Sequence, residues 1–396
     1  MRRTLCLLSV GSLLPLLPLL PLRAQAPHPV AGGTLGVAGK AATVDGRPLL
    51  WLVHEPRADL VVMALADGKL PYLALCEAAK LDRAFGGVNQ AGFGIVVTLV
   101  DDLPEGAAGE DNGELVKRAL QSCALVAEFE ALLRSSDAAG RRTRGNFAVI
   151  DAGGTAAVFE VGPKAFARYD AEAQGGVMVR TNGTSAGGTT GAERRARGEA
   201  LLAGATAKPL TTRFLLQEFV RDVTPLPGAA PDHDDERDDG GTLCSRAAGA
   251  ALVLQGVKSG EDARLSTLWA LLGPPLATVA VPLWPLAAAT PRELAGEPRS
   301  RLAELAQRLA DGMHTAPGAD GAPPRLRLLP MAAVRRVVLF NEAKVLAQAE
   351  QALTTFRAAA KPPAPSLLRA AQERITADAV KWVEELGEKV ARPAGK

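Results

Sequence analysis

A glycine pair followed by a threonine, Gly32-Gly33-Thr34, lies just upstream of Asp45-Gly46-Arg47-Pro48-Leu49-Leu50-Trp51. A hydroxyl attacks a carbonyl only when a neighbouring base takes its proton. What Thr34 can do therefore turns on its surroundings, and an ordinary strand-opening threonine is the plainer reading. Asn182, in Val179-Arg180-Thr181-Asn182, suits a turn at a strand end, and Asn182-Gly183-Thr184 fits a glycosylation sequon. Other reactive patterns are missing. There is no Gly-x-Ser-x-Gly elbow, Walker loop or dinucleotide fingerprint, and Gly153-Gly154 belongs to a hairpin. Without a CxxC pair or a Cys/His cluster, no zinc site is expected. The acidic residues Asp232, Asp234, Asp235, Glu236, Asp238 and Asp239 lack the spacing of a calcium loop. They read as a solvated, mobile loop over 225–241. His28 and His314 stand among prolines and glycines and read as surface residues. No metal and no cofactor is implied.

The elements that must position these residues are mostly strands. Apolar runs at Leu49 to Val53 and Leu60 to Leu65 lead through the turn Asp67-Gly68 into Leu70 to Leu75. A second hairpin joins Phe85 to Val88 with Phe93 to Val100. Phe147 to Ile150, Ala156 to Val161 and Val177 to Val179 read as further strands, as do Ala251 to Leu254 and Ala277 to Trp284. Short, nearly continuous apolar runs suit sheets buried on both faces. Helical periodicity marks two short helices over 112–133, then 192–202 and 211–223. The C-terminal region changes character. Helices are expected at 299–311 and 331–360, with Lys361-Pro362-Pro363-Ala364-Pro365 ending the second and Ser366 capping another that reaches Gly387.

The chain has 396 residues, 47% of them hydrophobic and only 4% aromatic, so Leu, Val and Ala must build the core. A formal net charge of +2 with dispersed basic residues gives no reason to expect nucleic acid as a partner. Arg2 and Arg3, an apolar run to Leu22 broken by Pro15, Pro18 and Pro21, and Ala24-Gln25-Ala26 read as a signal peptide over 1–26. The expectation is a secreted or periplasmic protein with no stable membrane insertion after signal removal. Three cysteines then remain. Cys76 and Cys123 read as buried thiols, and one pair among Cys76, Cys123 and Cys244 is left able to bridge.

Several segments run in a fixed order between Thr34 and Trp284. They are the opening stretch to Trp51, Gly87 to Phe93, Asn146 to Asp151 with Ala157 to Val161, Val179 to Asn182, Gln255 to Asp262, Ser266 to Trp269, and Ala280 to Trp284. In these the chain resembles the secreted amidohydrolases and acyltransferases related to acyl-coenzyme A:isopenicillin N acyltransferase, which are N-terminal-nucleophile (Ntn) hydrolases. The resemblance implies a four-layer αββα sandwich over 27–290, in the α+β class. A C-terminal helical pair over 291–396 is added to it. It also implies a chemistry. A precursor peptide is removed, the freed α-amine serves as base, and the side chain of the new first residue attacks a linear amide. The family's cysteine falls at about Gly32 or Gly33, so Thr34 is the nearest replacement nucleophile. Glu55, in His54-Glu55, matches the aspartate of an Arg-Asp pair that holds the nucleophile and its amine. Asn182 matches an oxyanion residue, and Val97, followed by Thr98, falls where relatives carry another asparagine. Two functions stay open. One is hydrolysis or acyl transfer on a small amide or acyl substrate, with Thr34 attacking. The other is ligand binding in the cleft without catalysis.

Overall fold

The computed structural model describes residues 32–55, 58–187, 189–206, 209–227, 232–296, 299–318, 321–359 and 364–391. The expected signal peptide and His28 lie outside the described residues.

β1 (Gly33–Ala38) and β2 (Leu49–His54) form an antiparallel hairpin with Gly36 opposite Trp51. Gly46 lies in the turn between them at φ +71°, a left-handed conformation that glycine adopts without penalty. β3 (Leu60–Leu65), β4 (Tyr72–Glu77), β5 (Gly86–Asn89) and β6 (Gly94–Leu99) follow as a meander. Helices α1 (Asn112–Ser122) and α2 (Val126–Asp137) interrupt it, and β7 (Gly145–Ile150), β8 (Ala156–Val161) and β9 (Phe166–Asp170) complete a seven-stranded antiparallel sheet. β10 (Val177–Arg180) returns to pair with β1. After α3 (Ala192–Thr206), α4 (Thr212–Gln217) and the short β11 (Glu236–Arg237) come β12 (Ala250–Gln255), β13 (Thr267–Leu272) and β14 (Val281–Leu283). These give a six-stranded sheet in the order β10-β1-β2-β12-β13-β14. The chain ends in α5 (Arg292–Ala295), α6 (Arg301–Asp311), β15 (Leu326–Arg327, paired with β11), α7 (Leu328–Ala358) and α8 (Pro365–Ala391).

The two sheets stack face to face, and strand alternation assigns each side chain to a layer. Leu35 and Leu52 of one sheet meet Val96, Ala148 and Ile150 of the other in one core. On the far side of the seven-stranded sheet, Phe129 of α2 packs on Phe159, Phe147 and Phe93 at centroid distances of 5.2, 5.9 and 6.2 Å. On the far side of the six-stranded sheet, Trp51 meets Phe219 edge-on at 5.4 Å beneath α4, and α7 and α8 cover the β13–β14 end. The architecture is the αββα sandwich with its added helices. Cys76, Cys123 and Cys244 are all buried and free.

Some local expectations shift. β9 carries Arg168, Tyr169 and Asp170 and lacks the apolar signature of its neighbours; it lies at the sheet edge, where one side needs no apolar cover. The helix expected over 211–223 is only α4, followed by a single tight turn at Phe219–Arg221. Some of the acidic segment is fixed in place. Asp239 is fully buried, accepting from Arg246 Nη1 (3.4 Å) and facing Nε2 of His314 (3.0 Å). The His314 side chain, expected at the surface, is only 10% exposed. Arg246 and His314 hold Asp239 inside a stretch that looks locally like a solvated acidic run.

Candidate functional site

The start of β1 is the centre of the site. Alternation puts Gly33 and Leu35 on the inter-sheet face, and Thr34 and Gly36 on the helix-covered face. A Cβ at Gly33 would meet Thr98 Cγ2 of the facing sheet at 3.2 Å and the Val53 carbonyl oxygen at 2.7 Å. A Cβ at Gly36 would fall 2.1 Å from the Trp51 indole, on the opposite face. Thr34 therefore turns away from Thr98. It is fully buried, and its Oγ1 has no hydrogen-bond partner among the described residues.

Glu55 and Asn182 do come together, through a third residue. Just past the end of β2, the Glu55 N–H donates to the Gly32 carbonyl at 3.1 Å. The Glu55 carboxylate accepts from Ser245 Oγ and from Arg194 Nη1, the latter at 3.0 Å. Arg194 Nη2 then donates to Asn182 Oδ1 at 3.3 Å, while Asn182 Nδ2 donates to the Leu99 carbonyl at 3.2 Å. A Cβ placed on Gly32 would stand 2.5 Å from Glu55 Oε2. The carboxylate thus fills the space that a side chain at residue 32 would use. Sequence reasoning missed Arg194 and Ser245: one looks like a helix-surface arginine, and the other sits in an unremarkable loop.

Val97 belongs to the other layer, buried among the α1–α2 contacts. Thr98 is the residue that faces Gly33, and its Oγ1 donates to the Thr181 carbonyl at 3.2 Å. Asn146 pairs with Thr98 across β6 and β7. It is fully buried and donates through Nδ2 to the carbonyls of Thr181 (2.9 Å) and Gly183 (3.1 Å), leaving Oδ1 without a partner among the described residues. Its signal was a lone amide inside an apolar strand. Both donors of Asn146 are committed to carbonyl oxygens, and one of the two on Asn182 Nδ2 is turned to Leu99. An oxyanion site needs donors aimed at an empty position.

His54 stacks on Phe85 with ring centroids 4.1 Å apart, and burial pushes its imidazole down to about 4 from an ordinary value of 6.5. It is a neutral ring in the interior and supplies no counterpart to an arginine. Between about pH 4 and pH 6.5 the unfolded chain takes up a proton at this residue and the folded chain does not. Stability is thereby lost as pH falls through that window, with a slope of up to about 1.4 kcal/mol per pH unit. His54→Phe keeps the stacking and removes the titration. Urea unfolding at pH 4.5 and 6.5 should show a smaller difference for the variant, and equal differences would refute the assignment.

Beyond Asn182, Thr184 N–H donates to Asp102 at 3.0 Å, and this loop walls a pocket of about 760 Å³. The pocket opens between the β6–α1 loop at Leu103 and Pro104 and the β8–β9 hairpin at Ala165 and Ala167. Among the described residues, no group of three His, Cys, Asp or Glu side chains converges as a metal site would require. No helix among them is long and apolar enough to cross a membrane.

No family model matches the chain, and no curated protein matches it in sequence. Solved structures that match over a portion of it include penicillin V acylase from Agrobacterium tumefaciens, at 13% identity and a TM-score of 0.36 over 63% of this chain and 85% of that one. The Caenorhabditis elegans ortholog of N-acylethanolamine-hydrolyzing acid amidase matches at 12% identity and a TM-score of 0.40, over 56% and 92% of the two chains. A mutant conjugated bile acid hydrolase from Clostridium perfringens matches at 10% and 0.37, over 61% and 89%.

Proposed function

We propose that this chain binds a small, largely apolar ligand in the pocket walled by the loop beyond Asn182 and does not cleave amides. The observation that carries this reading is the parity of β1: Gly33 faces Thr98 between the sheets and offers no heteroatom, whereas the Thr34 hydroxyl lies on the helix-covered side. The other groups that amide attack would need support the same reading. The Glu55 carboxylate is bound by Ser245 and Arg194, and Asn182 Nδ2 is turned to a carbonyl. Exposing Thr34 as a first residue would also require cutting inside β1, where Gly33 is already paired with His54. In this reading the protein is exported, and its mature chain begins near Pro27.

Intact mass and N-terminal sequencing of the exported protein, with an assay on acyl p-nitroanilides, test it. The expected result is a terminus near Pro27 and no turnover above buffer. Thr34→Ala removes an unpartnered buried hydroxyl together with one buried methyl group, so stability should fall by about 1 kcal/mol, the worth of the methyl. A terminus at Thr34, with turnover that Thr34→Ala abolishes, would establish the amidohydrolase instead.

A further inference from the structure

The polar end of the 760 Å³ pocket is built around a buried carboxylate. Glu160 of β8 is 7% exposed. Its Oε1 accepts from Arg180 Nε at 3.0 Å and from the Ser185 N–H at 2.9 Å. Among the described residues its Oε2 meets only the Tyr169 hydroxyl, at 3.5 Å, a distance at which the hydrogen bond is weak. An acceptor oxygen is thus left for a donor arriving from the pocket. The Tyr169 hydroxyl also lies 2.9 Å from Ser185 Oγ, and the Arg180 guanidinium stands over the Tyr169 ring at 5.2 Å. Leu103 and Pro104 on one wall and the exposed Ala165 and Ala167 on the other supply the apolar surface.

These features restrict the ligand. Arg180 already pairs with Glu160, so a charged head group seated beside them finds no free counter-ion at that end and is desolvated. The other charged side chains of the lining, Glu105 and Lys164, belong to the β6–α1 loop and the β8–β9 turn. The head must donate one hydrogen bond to Glu160 Oε2 and can accept one from a hydroxyl. A volume of about 760 Å³ suits a molecule with an extended apolar body. We infer that the pocket takes an uncharged amphiphile ending in a hydroxyl, such as a medium- or long-chain alcohol. The hydroxyl would lie between Glu160 and Tyr169, and the chain would run between Pro104 and Ala167. This rests on the reading that the pocket binds a ligand, but not on whether amides are cleaved.

Calorimetric titration of the mature protein tests the inference, with 1-decanol below its aqueous solubility and decanoate and decylammonium below their micellar concentrations. Decanol should bind about tenfold or more tightly than either charged analogue. Tyr169→Phe should weaken decanol by about three- to tenfold, the usual worth of one hydrogen bond. Ala167→Trp should fill the pocket and abolish binding at an unchanged unfolding midpoint. Should that variant misfold, Ala165→Trp in the preceding turn does the same from an exposed position. Tighter binding of decanoate or decylammonium, no binding of decanol, or binding that survives the tryptophan overturns the proposal. Absence of decanol binding would leave the absence of amide turnover untouched, and turnover by the wild type would leave the decanol result untouched.

Discussion

Glu342→Ala is expected to lower the unfolding free energy by about 3–5 kcal/mol, the range for breaking a buried ion pair by removing one partner. Arg221 and Glu342 are both completely buried, and the guanidinium meets the carboxylate through two bonds of 2.9 and 2.7 Å. Arg221 also donates to the carbonyls of Pro275 and Thr278, each at 2.8 Å, and to that of Leu216. Glu342 Oε2 accepts the Ala280 N–H at 3.0 Å. One side chain of α7 thereby anchors the C-terminal helices to the loop that leads into β14. Truncating it strands a guanidinium charge in a fully buried site. Urea titration followed by circular dichroism reads the effect. Arg221→Met in the Glu342→Ala background should return some of the loss, because the orphaned charge is gone. A single-variant cost below about 1 kcal/mol would mean that solvent reaches the pair.

The second large effect is expected from Gly36→Ala. The new methyl would sit 2.1 Å from Trp51 Cζ2 and 2.7 Å from the Met178 carbonyl oxygen, contacts that real Cβ atoms do not make. The indole cannot swing aside, since it is fully buried and meets Phe219 at 5.4 Å. The carbonyl belongs to β10, so the alternative is to pull β10 away from β1 in the six-stranded sheet. Overpacking of this kind costs about 3 kcal/mol. Trp51→Leu should be destabilising alone yet less so together with Gly36→Ala, and the non-additivity in a double-mutant cycle measures the contact. Strict additivity would show that the clash is relieved elsewhere. Thermal unfolding of the four proteins provides the comparison.

Much of the scaffold is readable before any coordinates. Runs such as Leu49 to Val53 and Phe147 to Ile150 are continuous because both faces of each strand are covered, and all of their residues are buried. Asp67-Gly68 and Gly153-Gly154 announce their hairpins, and the proline cluster at 362–365 separates α7 from α8. β9 escapes notice because an edge strand can carry Arg168 and Asp170 on its open side. α4 is shorter than its periodicity suggests because the backbone turns at Glu218 and carries Arg221 inward to its carbonyl and carboxylate partners.

The site divides differently. By itself the sequence determines which residue types are present: a pair of glycines, a threonine after them, and the separate residues Glu55 and Asn182. It determines too that the region beyond about residue 291 is mostly helical. Only the tertiary structure decides which way each of these residues points and what it touches. Thr34 and Gly33 differ by one position, and strand alternation sends them to opposite layers. Arg194 lies 139 positions from Glu55 and 12 from Asn182, and it joins them because α3 packs over the β1–β10 edge. Arg221 and Glu342, 121 positions apart, meet where the C-terminal helices cover the six-stranded sheet. Local pattern reflects burial and backbone preference over a few residues. Hydrogen bonds between distant side chains depend on register and layer packing, which the whole chain sets at once.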